Sequence, residues 1–230
     1  MIRDVFLDLD DTILDFGRAE HEALSATMTQ MGLTPTPEII LLYNRINLFH
    51  WKLLEKGEIT RARLLVRRFE VFYGEIGVTA DAVRTQAIYE YELGKRSYFL
   101  EGAEQMLRDL KEKGYRLYLA SNGTTVVQRP RIRQAGLASY FDGIFLSEAI
   151  GADKPSAAFF DACFAQIPDF DPTRAIILGD SLSSDILGGH NAGIRTCWYN
   201  PHAKEPVGEV TPDFAIASLD EFVPLLESIG

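Results

Sequence analysis

From Glu101 to the C-terminus, short apolar runs alternate with longer helical patterns, and no other feature restricts the fold so strongly. Helix 101–113 stops at Gly114, strand Tyr115–Ala120 runs into Ser121-Asn122-Gly123, and helix 125–135 stops at Gly136. Strand Gly143–Ser147 precedes helix 156–166, and strand Ala175–Leu178 ends at Gly179-Asp180. Helix 183–192 ends at Gly193, short strands follow at Thr196–Tyr199 and Phe214–Ala217, and helix 219–228 comes last. Such alternation predicts a parallel sheet with helices on both faces, a doubly wound, Rossmann-like α/β core. The N-terminal run Val5-Phe6-Leu7 supplies a further buried strand to that sheet.

Residues 15–97 have a different texture, with no convincing strand. One helix is predicted from Arg18 to Met31. Thr36 can cap the next, with Pro37 in its first turn, Ile39, Leu42, Ile46, Phe49 and Leu53 at helical spacing, and Gly57 as its stop. Thr60 starts a third helix through Leu64, Phe69 and Phe72, and Thr79 a fourth through Val83, Ile88 and Tyr91. Helices with short links read as a small bundle. The expected organisation is an α/β core of residues 1–14 and 98–230, with 15–97 inserted as a helical cap beside the end of the first strand, where a lid would sit.

That strand delivers Asp8-Leu9-Asp10-Asp11-Thr12 to its C-terminal end, the place where open α/β sheets bind ligands. Asp8 and Asp10 are two residues apart and can point to the same side of an extended backbone. Two carboxylates on one side repel unless a positive charge lies between them, and Mg²⁺ is a hard cation that takes oxygen ligands. Asp11 reads as a turn or capping residue. An acidic turn after a strand is the plainer reading of the whole motif.

Three further motifs fall at predicted strand or loop ends. Ser121-Asn122-Gly123 combines a hydroxyl, backbone N–H groups and a helix N-terminus, which suits an anion; an ordinary capped turn reads the same way. Lys154, in Ala152-Asp153-Lys154-Pro155, is either a solvated loop lysine or a point cation balancing carboxylates and a phosphate. Asp180 would be a third metal carboxylate, and Asp185 either orients its neighbours or complements a helix dipole.

Taken together and in this order, the motifs resemble those of the haloacid dehalogenase-like hydrolase superfamily: a DxD strand end, a Ser or Thr, a Lys and an acidic pair. The resemblance spans the chain. It implies that Asp8 is the nucleophile and that Asp10 is the general acid/base, with its backbone carbonyl also on Mg²⁺. Asp8, Asp10 and Asp180 would hold the metal, and Ser121, Asn122 and Lys154 would hold the phosphoryl group. Thr12 would hold the turn, and Asp185 would support Asp180 and Lys154. Asn47-Leu48-Phe49-His50-Trp51, the break at Gly57-Glu58-Ile59-Thr60, the Phe69 helix, Ser184-Asp185-Ile186-Leu187-Gly188-Gly189 and Cys197-Trp198-Tyr199-Asn200 are similar to the bacterial house-cleaning pyrimidine nucleoside 5′-monophosphatases.

That likeness implies a Mg²⁺-dependent phosphomonoesterase working through an aspartyl phosphate on a small phosphorylated metabolite, a pyrimidine nucleoside monophosphate. In the cap, Asn47 and Trp51 share a helix face and could read and stack a base, while Phe16 and Gly17 lie where a mobile flap would be. Trp51 and Phe49 read first as bundle core, with base stacking the sharper alternative, and Arg67 and Arg68 read as a solvated helix face. The four histidines show no metal-ligand spacing. Competing readings are a sugar-phosphate or phosphoglycolate-like phosphatase and, in a different class, a phospho-accepting signalling module, whose domains are about half this length.

Composition narrows the partners. A net charge of −10 argues against nucleic acid and anionic membranes. No apolar run approaches membrane-spanning length. Two cysteines, Cys163 and Cys197, offer no disulfide framework and suit a reducing cytoplasm. The N-terminus lacks a signal-peptide layout. The oligomeric state is not legible.

Overall fold

A computed structural model describes residues 1–206 and 210–229. Six parallel strands, β1 (Asp4–Leu7), β2 (Arg116–Ser121), β3 (Gly143–Leu146), β4 (Ala175–Gly179), β5 (Arg195–Tyr199) and β6 (Phe214–Ile216), form one sheet in the order β3-β2-β1-β4-β5-β6. β1 is central and pairs with both β2 and β4, with Leu7 opposite Leu119 on one side and Leu178 on the other. All four residues of β1 are buried, as a strand covered on both faces requires. The order reverses direction between β1 and β4, so the crevice at their carboxyl ends is a topological switch point.

Four helices intervene between β1 and the rest: α1 (Phe16–Gln30), α2 (Pro37–Glu55), α3 (Arg61–Glu75) and α4 (Ala82–Gly94). The chain leaves and re-enters along two adjacent segments. The Asp15 N–H donates to the Tyr98 carbonyl at 2.8 Å, and the Leu100 N–H to Ile13 at 2.9 Å. The inserted helices share a core of their own built around Leu24, Tyr43, Phe69, Phe72 and Tyr89. Thr36 and Thr60 cap α2 and α3 as the sequence predicts, each accepting a backbone N–H three residues on. Asp81, not Thr79, caps α4, because its carboxylate accepts from both Val83 and Arg84.

The helices α5 (Ala103–Glu112), α6 (Thr125–Gln134), α7 (Ser147–Ile150), α8 (Ala157–Phe164), α9 (Leu187–Asn191) and α10 (Phe222–Ser228) complete the chain. Two apolar clusters sandwich the sheet, one joining Leu7 and Leu119 to Leu107 and Phe222, the other joining Phe6 and Ile177 to Phe159 and Phe160. Several sequence boundaries shift. Ser147 opens α7 instead of ending β3, and the predicted helix 183–192 divides into a π-helical turn, Leu182–Ile186, followed by α9. Among the described residues, no helix is long and apolar enough to cross a membrane.

Candidate active site

Asp8 is the first residue beyond β1, and its N–H still donates to Leu178 of β4 at 3.0 Å. That bond sets the Asp8 side chain at the switch point, beside Asp180 at the end of β4. Carboxylate oxygens of Asp8, Asp180 and Asp185 lie within 4.8 Å of one another. Asp185 reaches this group from the π-helical turn, where its second oxygen accepts the Ser181 N–H at 3.1 Å. A side chain on Gly179 would occupy that space: a Cβ there would meet the Asp185 carboxyl carbon at 2.3 Å. Trp198 on β5 fixes Asp180 from behind, its indole N–H donating to the Asp180 carbonyl at 2.9 Å.

Lys154 lies at the centre of this acidic group and is buried. Its ammonium donates to Asp8 Oδ1, Asp185 Oδ1 and the Ala120 carbonyl, each at 2.6 Å, so all three of its N–H bonds are used. Burial alone lowers the proton affinity of an ammonium, but the charges of Asp185 and Asp8 overcome it and raise the Lys154 pKa. Burial pushes the Asp8 carboxyl up to about 7 against the opposing pull of Lys154, and Asp185 adds to the rise. Burial, with Asp185 and Asp8 next, holds Asp180 well above the usual carboxylate range. A hard divalent cation relieves this kind of crowding, and an all-oxygen donor set suits one.

The Asp10 carboxylate turns away from the other three. It accepts from Arg131 Nη1 at 2.5 Å and from Gln128 Nε2 at 2.6 Å, both on α6. Arg131 is fully buried and also donates through Nε to the Arg96 carbonyl at 2.9 Å. Gln128 Nε2 reaches the Ser121 hydroxyl at 3.0 Å as well, which ties Asp10 to the loop after β2. Asp11 sits in the left-handed region with φ 58°, and its carboxylate accepts from the N–H groups of Phe16 and Gly17. It caps the start of the insertion, as the sequence reading holds. Thr12 is buried in the same turn, and its hydroxyl has no partner among the described residues.

Ser121 ends β2, and its oxygen accepts the Gly123 N–H at 3.1 Å. Asn122 forms a reciprocal pair with the Lys154 backbone, donating to its carbonyl and accepting its N–H, each at 2.9 Å. The amide thus locks the Ser121 loop to the Lys154 loop. Arg61, the first residue of α3, crosses from the insertion to these loops. It donates to the Asn122 carbonyl at 2.6 Å and the Ser147 hydroxyl at 2.5 Å, and it pairs with Asp153.

A cavity of about 420 Å³ opens over the carboxylates and continues into the inserted helices, where Phe16, Asn47, Trp51 and Arg68 line it. Asn47 is buried, donating to Glu20 Oε1 and accepting from Arg68 Nη1, each at 2.7 Å. Two expectations are corrected here. Arg68 is buried rather than solvated, because its guanidinium bridges Asn47 and Gln86, and Phe49 is 59% exposed rather than bundle core.

Sequence reasoning also passed over Glu20, Arg61, Gln128 and Arg131. For three of these a signal exists. Gln128 and Arg131 fall on the same helix face as Val127 and Ile132, and Glu20 is one turn from Leu24. A charge on an apolar stripe marks a buried, paired group. Arg61 carries no such mark.

Residues 2–193 match the family description "haloacid dehalogenase-like hydrolase". The chain belongs to the haloacid dehalogenase-like hydrolases. Within that family it is 35% identical to the pyrimidine 5′-nucleotidase PynA of Streptococcus pneumoniae, over 97% of this chain and 94% of that protein. It is 30% identical to the pyrimidine 5′-nucleotidase YjjG of Escherichia coli, over 96% of each. Its structure superposes on the crystal structure of the HAD-hydrolase YfnB of Bacillus subtilis bound to magnesium with a TM-score of 0.93, 35% identity and 98% coverage of both chains. The superposition on YfnB takes in the doubly wound core and the helical insertion together.

Proposed function

We propose that the chain is a Mg²⁺-dependent phosphomonoesterase that hydrolyses pyrimidine nucleoside 5′-monophosphates, with residues 1–14 and 98–230 as catalytic core and 15–97 as cap. The observation that carries this reading is the continuity of one cavity, from Asp8 and Lys154 at the switch point to a buried polar cluster in the cap. A phosphate at one end and a base at the other would span such a space, which falls within the roughly 300–1,000 Å³ usual for small-ligand sites.

Asp8 would attack phosphorus with a carboxylate oxygen, forming an acyl phosphate as the bond to the leaving alkoxide breaks. Asp10, held by Arg131 and Gln128, would give that alkoxide its proton, then take one from the water that attacks the phosphorus and frees phosphate from Asp8. Lys154, the Ser121 hydroxyl and the N–H groups of the following loop would stabilise the equatorial oxygens. Mg²⁺ held by Asp8, Asp180 and the Asp10 carbonyl would supply positive charge to the transferring group. Thr12 would hold the turn, Asp185 would orient Lys154, and Asn122 would set the Ser121 and Lys154 loops at a fixed separation. Names given to PynA and YjjG support the choice of substrate. The two free, buried cysteines, both pushed up to about 12 by burial, suit a reducing cytoplasm.

The test is phosphate release from dUMP, dTMP, UMP, dAMP, glucose 6-phosphate and phosphoglycolate, with EDTA and with Mg²⁺. Pyrimidine nucleotides should rank first, and only with metal. A sugar phosphate in first place, equal turnover of purine and pyrimidine nucleotides, or full activity in EDTA would overturn the reading.

A further inference from the structure

Each cap helix contributes a polar side chain to one buried cluster: Glu20 from α1, Asn47 from α2, Arg68 from α3, and Gln86 with Tyr89 from α4. The cluster is not symmetrical in its hydrogen bonding. Arg68 is occupied by Asn47 and Gln86, at 2.7 Å each. Asn47 is occupied by Arg68 and Glu20. Glu20 Oε1 accepts twice, from Asn47 at 2.7 Å and Tyr89 at 3.1 Å. Glu20 Oε2 accepts no hydrogen bond among the described residues, and Glu20 lines the cavity that leads to Asp8. A carboxylate oxygen without a donor, on a residue that lines a ligand space, calls for a donor on the ligand.

Accepting that the substrate is a pyrimidine nucleotide, we propose that Glu20 is a specificity-determining residue whose Oε2 accepts the N3–H of uracil or thymine. Cytosine presents an unprotonated N3 at that position, so two acceptors would face each other and neither would be satisfied. Asn47 then acts through Glu20, holding its other oxygen, and the Arg68 charge supports the carboxylate from behind. Burial drives the Glu20 carboxyl up to about 7, with Arg68 the largest opposing influence, as fits an acceptor supplied with too few donors.

The experiment compares kcat/KM for dUMP and dCMP at about pH 9, where a carboxylate of this kind is ionised. The wild type should favour dUMP by about 10–100-fold, the worth of one hydrogen bond to a charged group. In Glu20→Gln the amide can face either ring nitrogen, so the ratio should collapse to about threefold or less. A wild-type ratio of that size, or a Glu20→Gln enzyme that keeps the wild-type ratio, would overturn the assignment. Should the variant not fold, wild-type enzyme with N3-methyl-dUMP decides: a loss of about 10–100-fold against dUMP supports the contact, and equal turnover refutes it. Hydrolysis of both nucleotides with a ratio indifferent to Glu20→Gln defeats Glu20 alone. Hydrolysis of neither, with a sugar phosphate accepted, defeats the nucleotide reading and this proposal with it.

Discussion

Lys154→Met tests whether one buried cation holds the site together. Methionine keeps about the length of the side chain and removes its charge. In the native chain three N–H bonds, each 2.6 Å long, go to Asp8, Asp185 and the Ala120 carbonyl. The substitution leaves two buried carboxylates without their common partner. Breaking a buried pair by removing one partner costs about 3–5 kcal/mol, and the orphaned carbonyl adds about 1–3 kcal/mol. Domains of this kind are stable by about 5–15 kcal/mol, so the variant should fold but sit close to the edge. Urea unfolding at neutral pH without metal should show the loss as a lower midpoint at constant slope. Mg²⁺ should return part of it, because a divalent cation among the carboxylates replaces some of the missing charge. Binding at a hundred times Kd contributes about 2.7 kcal/mol. A loss under about 1 kcal/mol without metal, or no greater benefit from Mg²⁺ in the variant than in the wild type, would refute the reasoning.

Asp10→Asn should lower single-turnover phosphorylation by about 10²–10⁴ for a nucleotide and by less for p-nitrophenyl phosphate, whose leaving group needs little protonation; equal losses would contradict the acid role. Gly179→Ala should cost about 1–3 kcal/mol in urea unfolding and weaken activation by Mg²⁺, because the new methyl would sit 2.5 Å from the Asp185 Cβ; unchanged Mg²⁺ activation would show that Asp185 yields without consequence. The third concerns stability and pH. The folded pKa of Glu20, about 7, lies above its ordinary 4.5, so over that interval the folded state holds a proton the unfolded chain has released. Stability from this group is therefore full below about 4.5 and is lost as pH rises through about 7, by on the order of 3 kcal/mol. Glu20→Gln has no such dependence, so between pH 5 and 8 the difference in unfolding free energy should move in favour of the variant by about that amount; parallel pH curves would refute it.

The core was legible because its rules are local. Apolar runs ending in Gly, Asp or Ser mark strand ends, and strand ends in an α/β sheet are where ligands bind. Asp8, Ser121 and Asp180 could be placed on that basis, Lys154 only through the family resemblance, and the structure lines one cavity with all four. The cap was legible as helices but not in phase. Residues 39–42 of α2 read Ile-Ile-Leu-Leu, apolar on every side, so periodicity alone cannot fix which stripe faces inward. Ile40, Tyr43, Ile46, Asn47 and His50 are buried there, which turns Phe49 outward. Pairings such as Arg131 with Asp10, 121 residues apart, or Arg61 with Asp153, 92 apart, depend on packing that no local pattern encodes.

The charges around the cavity explain why an acidic chain can accept an anion and why it would need a metal to do so. Asp8, Asp10, Asp180 and Asp185 bring four negative charges when ionised, against one positive charge each from Lys154 and Arg131. Both cations are spent on carboxylates, so the site alone repels a phosphate dianion, and the net charge of −10 on the whole chain adds to the repulsion. One divalent cation brings this inner group to neutrality. In the proposed cycle, Asp10 carrying the proton it is to donate would leave a single positive charge facing the substrate. The same proton that departs with the leaving group thus favours binding beforehand, and in the proposed cycle Asp10 regains one from the attacking water before free phosphate leaves. In the proposed mechanism, metal dependence and the acid role of Asp10 are therefore coupled through one balance of charge, so Asp10→Asn, permanently neutral, should bind substrate at least as well as the wild type while turning it over more slowly.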